Sequence, residues 1–155
     1  MADAPGPILS RELDPLSEQF YAECARGRLA IQRCAACRAW RHLPRHACAA
    51  CGSPAWRWEP VSGRGRVFSW TVTHQAPHPA FAGATPYVVA VVELDEGVRL
   101  VAGLRGASPA ALRLDLPVVV DFEPVSETAA VPFFRPAPPG RGEPKGRTAC
   151  ARATR

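Results

Sequence analysis

The chain has 155 residues, 47% of them hydrophobic, and a formal net charge of +5; this is enough to bury one modest core beside a small metal-stapled lobe, and too little for two full domains. No apolar run approaches the ~20 residues that span a bilayer, and Met1 to Leu9 has neither the basic start nor the hydrophobic centre of a secretory leader. The expectation is a cytoplasmic protein without membrane partners, in a reducing compartment where thiols hold metal instead of oxidising.

The charge is almost wholly arginine, whose planar fork suits phosphate. A phosphorylated partner is one reading, either nucleic acid or a nucleotide-bearing cofactor. The other is the arginine-rich, lysine-poor usage of a GC-rich genome, and Arg141, Arg147, Arg152 and Arg155 fall in a tail with little apolar content.

In chain order, residues 1–13 are expected to be flexible and residues 14–27 helical. Asp14 can cap the helix, and Pro15 occupies the first turn, where its missing N–H costs nothing. Leu16, Phe20 and Cys24 recur every fourth residue with Tyr21 beside them, and Gly27 can close the helix in a left-handed conformation.

Residues 28–59 read as a zinc ribbon. Arg28 to Arg33 is extended and leads into Cys34/Cys37, and Cys48/Cys51 follows after a spacer of ten residues. Four thiolates make a tetrahedral soft-ligand cage that suits a structural zinc ion, with iron as the rival for the same sulfurs. The usual spacer is about fifteen to twenty residues; ten leave room for a short hairpin, Arg38 to Arg45 going out and returning. Four sulfurs complete the site, so His42 and His46 are expected at the surface. Trp56 and Trp58, two apart in a strand, put both indoles on one face, where they cover the metal lobe or stack on a base or adenine ring. Cys24 and Cys150 take no assigned role.

From residue 60 to 136 the pattern is all-β. Val67 to Thr73 alternates, with Phe68, Trp70 and Val72 predicted toward the core. Tyr87 to Leu94 is an apolar strand, Asp95-Glu96-Gly97 a turn, and Val98 to Leu104 the return. Ser108-Pro109 opens a helical turn through Leu112, and Val118 to Phe122 and Val131 to Phe134 supply two more strands. Five strands with a small helical element between the third and fourth match a Greek-key barrel of the OB type. Residues 137–155, rich in Pro, Gly and Arg, are expected to be disordered. The fold class is therefore mainly β: an N-terminal helix, a zinc ribbon and a five-stranded barrel. No Gly-x-Ser-x-Gly elbow, His-Glu-x-x-His helix, Walker loop or dinucleotide fingerprint is present. His74 and His78, in a proline-containing loop, are the candidates for a general base or, more simply, parts of a rigid connection.

The order of these elements, together with Gln32-Arg33-Cys34-x-x-Cys37, Leu43-Pro44-Arg45-x-x-Cys48-x-x-Cys51, Ser62 to Thr71 and Phe134-Arg135-Pro136, resembles the DUF35 family: a rubredoxin-like zinc ribbon joined to an acyl-CoA-associated OB-fold. The likeness covers roughly residues 15 to 137. It departs from the family at Arg38, where glycine often follows the first knuckle, and at Ala49, where proline is common. The resemblance implies a subunit without catalytic residues of its own, accompanying a thiolase-like enzyme or an aldolase that cleaves steroid side chains from CoA thioesters, and helping to form the acyl-CoA channel. Two copies around a partner dimer, a heterotetramer, is the implied assembly. For the CoA contacts the candidates are Arg64 and Arg66, interleaved with Gly63 and Gly65, and Phe81 and Tyr87, which could line the acyl channel. The same glycines and arginines also suit a twisted strand with water-facing charges. The alternative function is a single-stranded nucleic-acid-binding ribbon and barrel, with arginines for phosphate and Trp56, Trp58, Phe68 and Trp70 for stacking. A third reading is electron transfer by iron in the ribbon.

Overall fold

A computed structural model describes residues 13–76, 79 and 83–138; the expected flexible N-terminus and the basic tail, with Cys150, lie outside the described residues. Helix α1 spans Pro15–Ala25, and the Asp14 carboxylate accepts hydrogen bonds from the Leu16 and Ser17 N–H groups at 3.0 and 3.1 Å. Gly27, at φ +71°, ends the helix by donating to the Cys24 carbonyl. Leu16, Phe20 and Cys24 form its buried stripe. Burial, then the charge of Glu23, pushes the Cys24 thiol up to about 12, so it packs as a neutral apolar group.

The ribbon is a three-stranded antiparallel sheet, β1 (Ala30–Cys34), β2 (Trp40–Arg41) and β3 (Trp56–Pro60), in the order β2-β1-β3. The hairpin expected within Arg38 to Arg45 is not what forms. The first knuckle turns the chain straight back, so Trp40 and Arg41 pair with Arg33 and Gln32 of β1, and the remaining spacer crosses to Cys48 as a loop. Ten residues that begin and end in knuckles leave room for one short strand.

The second module is a closed barrel of β4 (Arg64–Thr73), β5 (Tyr87–Leu94), β6 (Arg99–Leu104), β7 (Pro117–Pro124) and β8 (Ala130–Pro136), in the order β4-β5-β6-β8-β7. A 3-10 turn at Pro109–Ala111 links β6 to β7, and only β6 and β8 run parallel. This is the OB arrangement. Its seam is at the start of β4, where Gly65 pairs with Leu94 on one side and Val118 on the other. A Cβ on Gly65 would lie 2.4 Å from the Glu93 carbonyl oxygen; one on Gly63, at φ +69°, would lie 2.4 Å from a Val120 methyl. Close approach of neighbouring strands therefore accounts for both glycines.

Phe68 departs from the predicted alternation. A bulge between Val67 and Ser69 makes Phe68 the extra residue of β4, so Val67 is fully buried while Phe68 is 37% exposed. Beyond the bulge the inward set changes parity, and Trp70 and Val72 pack against the core. The Arg99 guanidinium sits 3.5 Å from the Phe68 ring centroid.

Lobe and barrel share one core. Phe20, Cys24, Leu29 and Ile31 cluster with Val67, Val92, Val118 and Phe134, and α1 lies against β1 as well as β7 and β8. Trp58 covers the junction: its indole N–H donates to Gln19 Oε1 at 2.9 Å and its ring lies 6.4 Å from Phe20. Trp56 packs edge-on against it at 5.4 Å.

Because the barrel seam has no room for a side chain, Gly65→Ala is expected to lower unfolding free energy by about 2 kcal/mol or more, measured as a shifted urea midpoint. A midpoint equal to that of the parent chain would mean the seam relaxes freely.

Candidate metal centre

The two knuckles are the same tetrapeptide used twice, Cys34-Ala35-Ala36-Cys37 and Cys48-Ala49-Ala50-Cys51, and they fold alike. In each, the first cysteine's carbonyl accepts from the residue four positions on, Arg38 at 3.1 Å and Gly52 at 2.8 Å, and its N–H donates to the residue after that, Ala39 and Ser53, both at 2.9 Å. The turn demands a left-handed residue at its end, met by Gly52 at φ +74° and by Arg38 at φ +65°. Arg38 occupies the place where the resemblance puts glycine, at a cost of about 1 kcal/mol. Its carbonyl is held by the Arg33 Nε at 3.0 Å, while Arg33 lies 4.5 Å from the Trp40 ring centroid and pairs with Glu59 at 2.9 Å.

The sulfurs converge. Cys34 and Cys51 Sγ are 3.7 Å apart, Cys37 and Cys48 Sγ 3.6 Å, and all four lie within 4.8 Å of one another. A tetrahedral ion with metal–sulfur bonds of ~2.3 Å needs sulfurs about 3.8 Å apart, so the cage fits. Backbone N–H groups point at the sulfurs. Those of Cys37 and Ala36 draw the Cys34 thiol down to about 6, and those of Ala50 and Cys51 lower Cys48. At Cys37 the Ala39 N–H also favours the thiolate, yet the surrounding sulfurs outweigh it and push the group up to about 12. The sulfurs crowded round Cys37 therefore disfavour its negative charge until a cation lies among them. A divalent ion removes that repulsion, and the donor set, four soft ligands with no open position, is that of a structural zinc site. Once bound, such an ion ties the two knuckles together. Cys34 and Cys48 are buried, Cys37 and Cys51 exposed.

The other predicted residues do not form one pocket. Arg64 is exposed at the start of β4, where its carbonyl accepts from the Asp95 N–H at 3.0 Å; Arg66 is half-buried opposite Glu93. Tyr87 pairs with Thr73 at the far end of the same strand, roughly 23 Å from Arg66 and about 30 Å from Arg64 at ~3.3 Å per residue. Phe81 and His78 lie outside the described residues. His74 is exposed just beyond β4, and His46 is exposed as read from the sequence.

His42 is half-buried instead of free at the surface. Its ring packs 5.5 Å from Phe20 and lines a cleft of about 460 Å³ between ribbon and barrel with Trp40, Glu93, Gly97, Val98 and Arg99. Burial lowers its pKa to about 4. Arg41, unmarked by any motif, is also buried. Neither the burial of Arg41 nor the partial cover of His42 has a local signal, because the loop that carries these residues folds back onto a sheet face set by distant strands.

Comparison with known proteins gives the same two modules. Residues 22–57 match the rubredoxin-like zinc ribbon domain of ChsH2, and residues 58–123 its C-terminal OB-fold domain. A probable enoyl-CoA hydratase alpha subunit from Thermomonospora curvata is 44% identical over 136 residues, which is 87% of this chain and 40% of that protein. The 3-oxo-4,17-pregnadiene-20-carboxyl-CoA hydratase alpha subunit of Mycobacterium tuberculosis is 49% identical over 65 residues, 39% of this chain and 20% of that one. The chain thus spans less than half the length of these two relatives. A DUF35 domain-containing scaffold protein of Methanothermobacter thermautotrophicus is 31% identical over 58% of this chain and 83% of its own. Among solved structures, a chain of the Ltp2-ChsH2(DUF35) aldolase superposes with a TM-score of 0.73 at 41% identity, covering 82% of this chain and 98% of that one.

Stripping the metal with a chelator, or changing Cys48 to Ser, is expected to expose Trp56 and Trp58 and to shift tryptophan fluorescence to longer wavelength; an unchanged spectrum would mean the lobe holds itself without the cage. His42 adds a pH dependence. It stays neutral in the folded chain down to about 4 but takes a proton near 6.5 when unfolded, so its contribution is intact above pH 6.5 and is lost as pH falls toward 4. The loss is at most about 3 kcal/mol. Urea unfolding of His42→Phe is expected to depend less on pH across that window than the parent does, and equal slopes would remove His42 as the cause.

Proposed function

Because the chain belongs to the DUF35 family, we propose that it is a zinc-binding accessory subunit or domain, without catalytic residues of its own, that docks on a thiolase-like or aldolase partner and helps form that partner's acyl-CoA channel. The observation that carries this reading is the match along 98% of a chain in a solved aldolase assembly, at 41% identity. Two relatives named as alpha subunits of CoA-ester hydratases support the substrate class, one of them with a steroid-derived acyl group. Zinc is the metal this reading places in the four-cysteine cage, as a structural ion. A heterotetramer built on a partner dimer and a cytoplasmic location complete the proposal.

The site geometry supports a scaffold. The cage has four protein ligands and no open position, so a metal there shapes the lobe instead of activating a substrate. Among the described residues no histidine is paired with a Ser, Cys or Asp side chain in the manner of an activated nucleophile. For CoA, the guanidinium of Arg64, exposed at the barrel seam, suits a phosphate, with Arg66 beside it. Tyr87 of β5, opposite Thr73 at the other end of β4, suits the apolar portion, and Phe81 is proposed for it from the sequence alone. A long, flexible thioester lying along β4 would meet Arg64, Arg66 and Tyr87 in turn.

The nucleic-acid reading has less in its favour. Base stacking needs open ring faces; of the four rings this reading would use, Phe68 carries the Arg99 guanidinium, Trp56 and Trp58 pack edge to face on each other with Trp58 also near Phe20, and Trp70 packs against the barrel core.

The test is assembly and turnover. The purified chain is expected to cleave no acyl-CoA thioester alone and to co-purify with a thiolase-like or aldolase subunit when the two are co-expressed. In that complex, joint Arg64→Ala and Arg66→Ala is expected to raise KM for the CoA ester about tenfold with kcat little changed. An unchanged KM removes both arginines from the channel, and thioester turnover by the isolated chain overturns the accessory role.

A further inference from the structure

Among the described residues Arg41 is a buried cation with no hydrogen-bond or ion-pair partner. Its residue is 6% exposed, and neither Nε nor either terminal nitrogen has a hydrogen-bond acceptor. Gln32, opposite it in the β1–β2 ladder, is fully buried; its Oε1 accepts from the Arg45 N–H at 2.7 Å, while its Nε2 is also unpartnered. A guanidinium keeps its charge at any pH a protein survives, so it cannot relieve its burial by losing a proton. An isolated charge is not retained in such a place unless an opposite charge stands near.

The ribbon strands carry one carboxylate, Glu59, and it is on the wrong face. It pairs in register with Ile31, on the side opposite Gln32, and is held there by Arg33 at 2.9 Å and Arg57 at 3.5 Å. The face of Gln32 and Arg41 carries Cys34 instead, two residues along β1. The ladder continues to that point, since the Cys34 N–H donates to the Ala39 carbonyl at 2.9 Å. Arg41 is therefore the diagonal cross-strand neighbour of Cys34, about 7–8 Å away between Cα atoms. The chain leaving Arg41 folds back over Gln32 and runs on to Cys48, which is itself buried.

We propose that Arg41 is the built-in counter-charge of the metal cage. Four thiolates around one divalent ion carry a net double negative charge, and Arg41 sets a positive charge behind them in the interior of the lobe. No sulfur is within hydrogen-bond reach of its nitrogens, so the interaction acts through the field, which between charges about 8 Å apart in a protein interior is several times thermal energy. Charge is what matters, not the fork. The inference rests on the reading that the cage holds a divalent metal and is independent of the partner enzyme.

The experiment compares R41M, R41Q and R41K with the parent, using the whole chain. Metal content is measured first. A parent chain isolated without a metal in its cage overturns the metal reading itself. With zinc present, chelator competition is expected to show affinity weakened about tenfold or more in R41M and R41Q and within about threefold of the parent in R41K. Melting gives a sign that packing alone would not: R41M lowers the melting temperature of the zinc-loaded chain and leaves that of the stripped chain equal or higher, because an uncompensated buried charge has gone. Iron in the cage supplies a second readout. R41M is expected to lower its reduction potential, since the more negative reduced cage loses more by the change. R41M zinc affinity within twofold of the parent, R41K as weak as R41M, equal lowering of both melting temperatures, or an unmoved iron potential would each overturn the assignment.

Discussion

Phe20 is the contact on which the arrangement of this molecule turns. Its ring meets Tyr21 within α1, His42 from the ribbon loop and Trp58 from β3, and it belongs to the same apolar cluster as Val67, Val118 and Phe134 of the barrel. The ribbon could not stand without such help. Its strands interleave Ala30, Ile31 and three tryptophans with Gln32, Arg33, Arg41, Arg57 and Glu59, and Ile31, Trp40 and Trp58 join the common cluster instead of forming a core of their own. Sulfur ligands organise one end of the lobe and α1 anchors the other, so order in the lobe draws on both a metal cage and the barrel's core.

The barrel is built for closure. Val67, Val92, Val118 and Phe134 fill it at 0–1% exposure, and the seam admits only glycine at residue 65. Outside, arginines lie over aromatic rings and pair with acidic neighbours: Arg99 with Phe68 and Glu93, Arg105 with Phe133 and Glu123. Such pairs contribute little individually to stability, but they occupy ring faces that would otherwise be open. A filled barrel and a four-coordinate cage leave this protein its surfaces and the cleft between its modules as the places where it can act on others.

Buried charge is handled differently by two adjacent residues. His42 accommodates its burial by staying neutral. Arg41 has no such option, and its surroundings on the sheet face it shares with Cys34 must supply the compensation. The lobe's interior sets Gln32 and Arg41 beside Ala30, Ile31 and the cysteines, and that places its stability partly under the control of its charges.

Much of this was legible in the linear pattern. The cysteine spacing located all four converging sulfurs, because a knuckle is a local structure whose geometry lies within five residues. Asp14-Pro15 and the fourfold recurrence of Leu16, Phe20 and Cys24 marked α1 for the same reason, and alternation with turn residues placed five barrel strands within a few residues of their observed ends. What escaped depends on partners far away in sequence. The β4 bulge that turns Phe68 outward is a property of its pairing with β5; β2 exists because β1 is there to receive it; the necessity of Gly65 comes from strands on both sides at once. His42 and Arg41 lie inside because a loop folds back over a sheet. Residue types and short-range spacing determined the cage, the helix and the strand order, whereas register, closure and burial were decided in three dimensions, where each strand's inward face is chosen by the neighbours it pairs with.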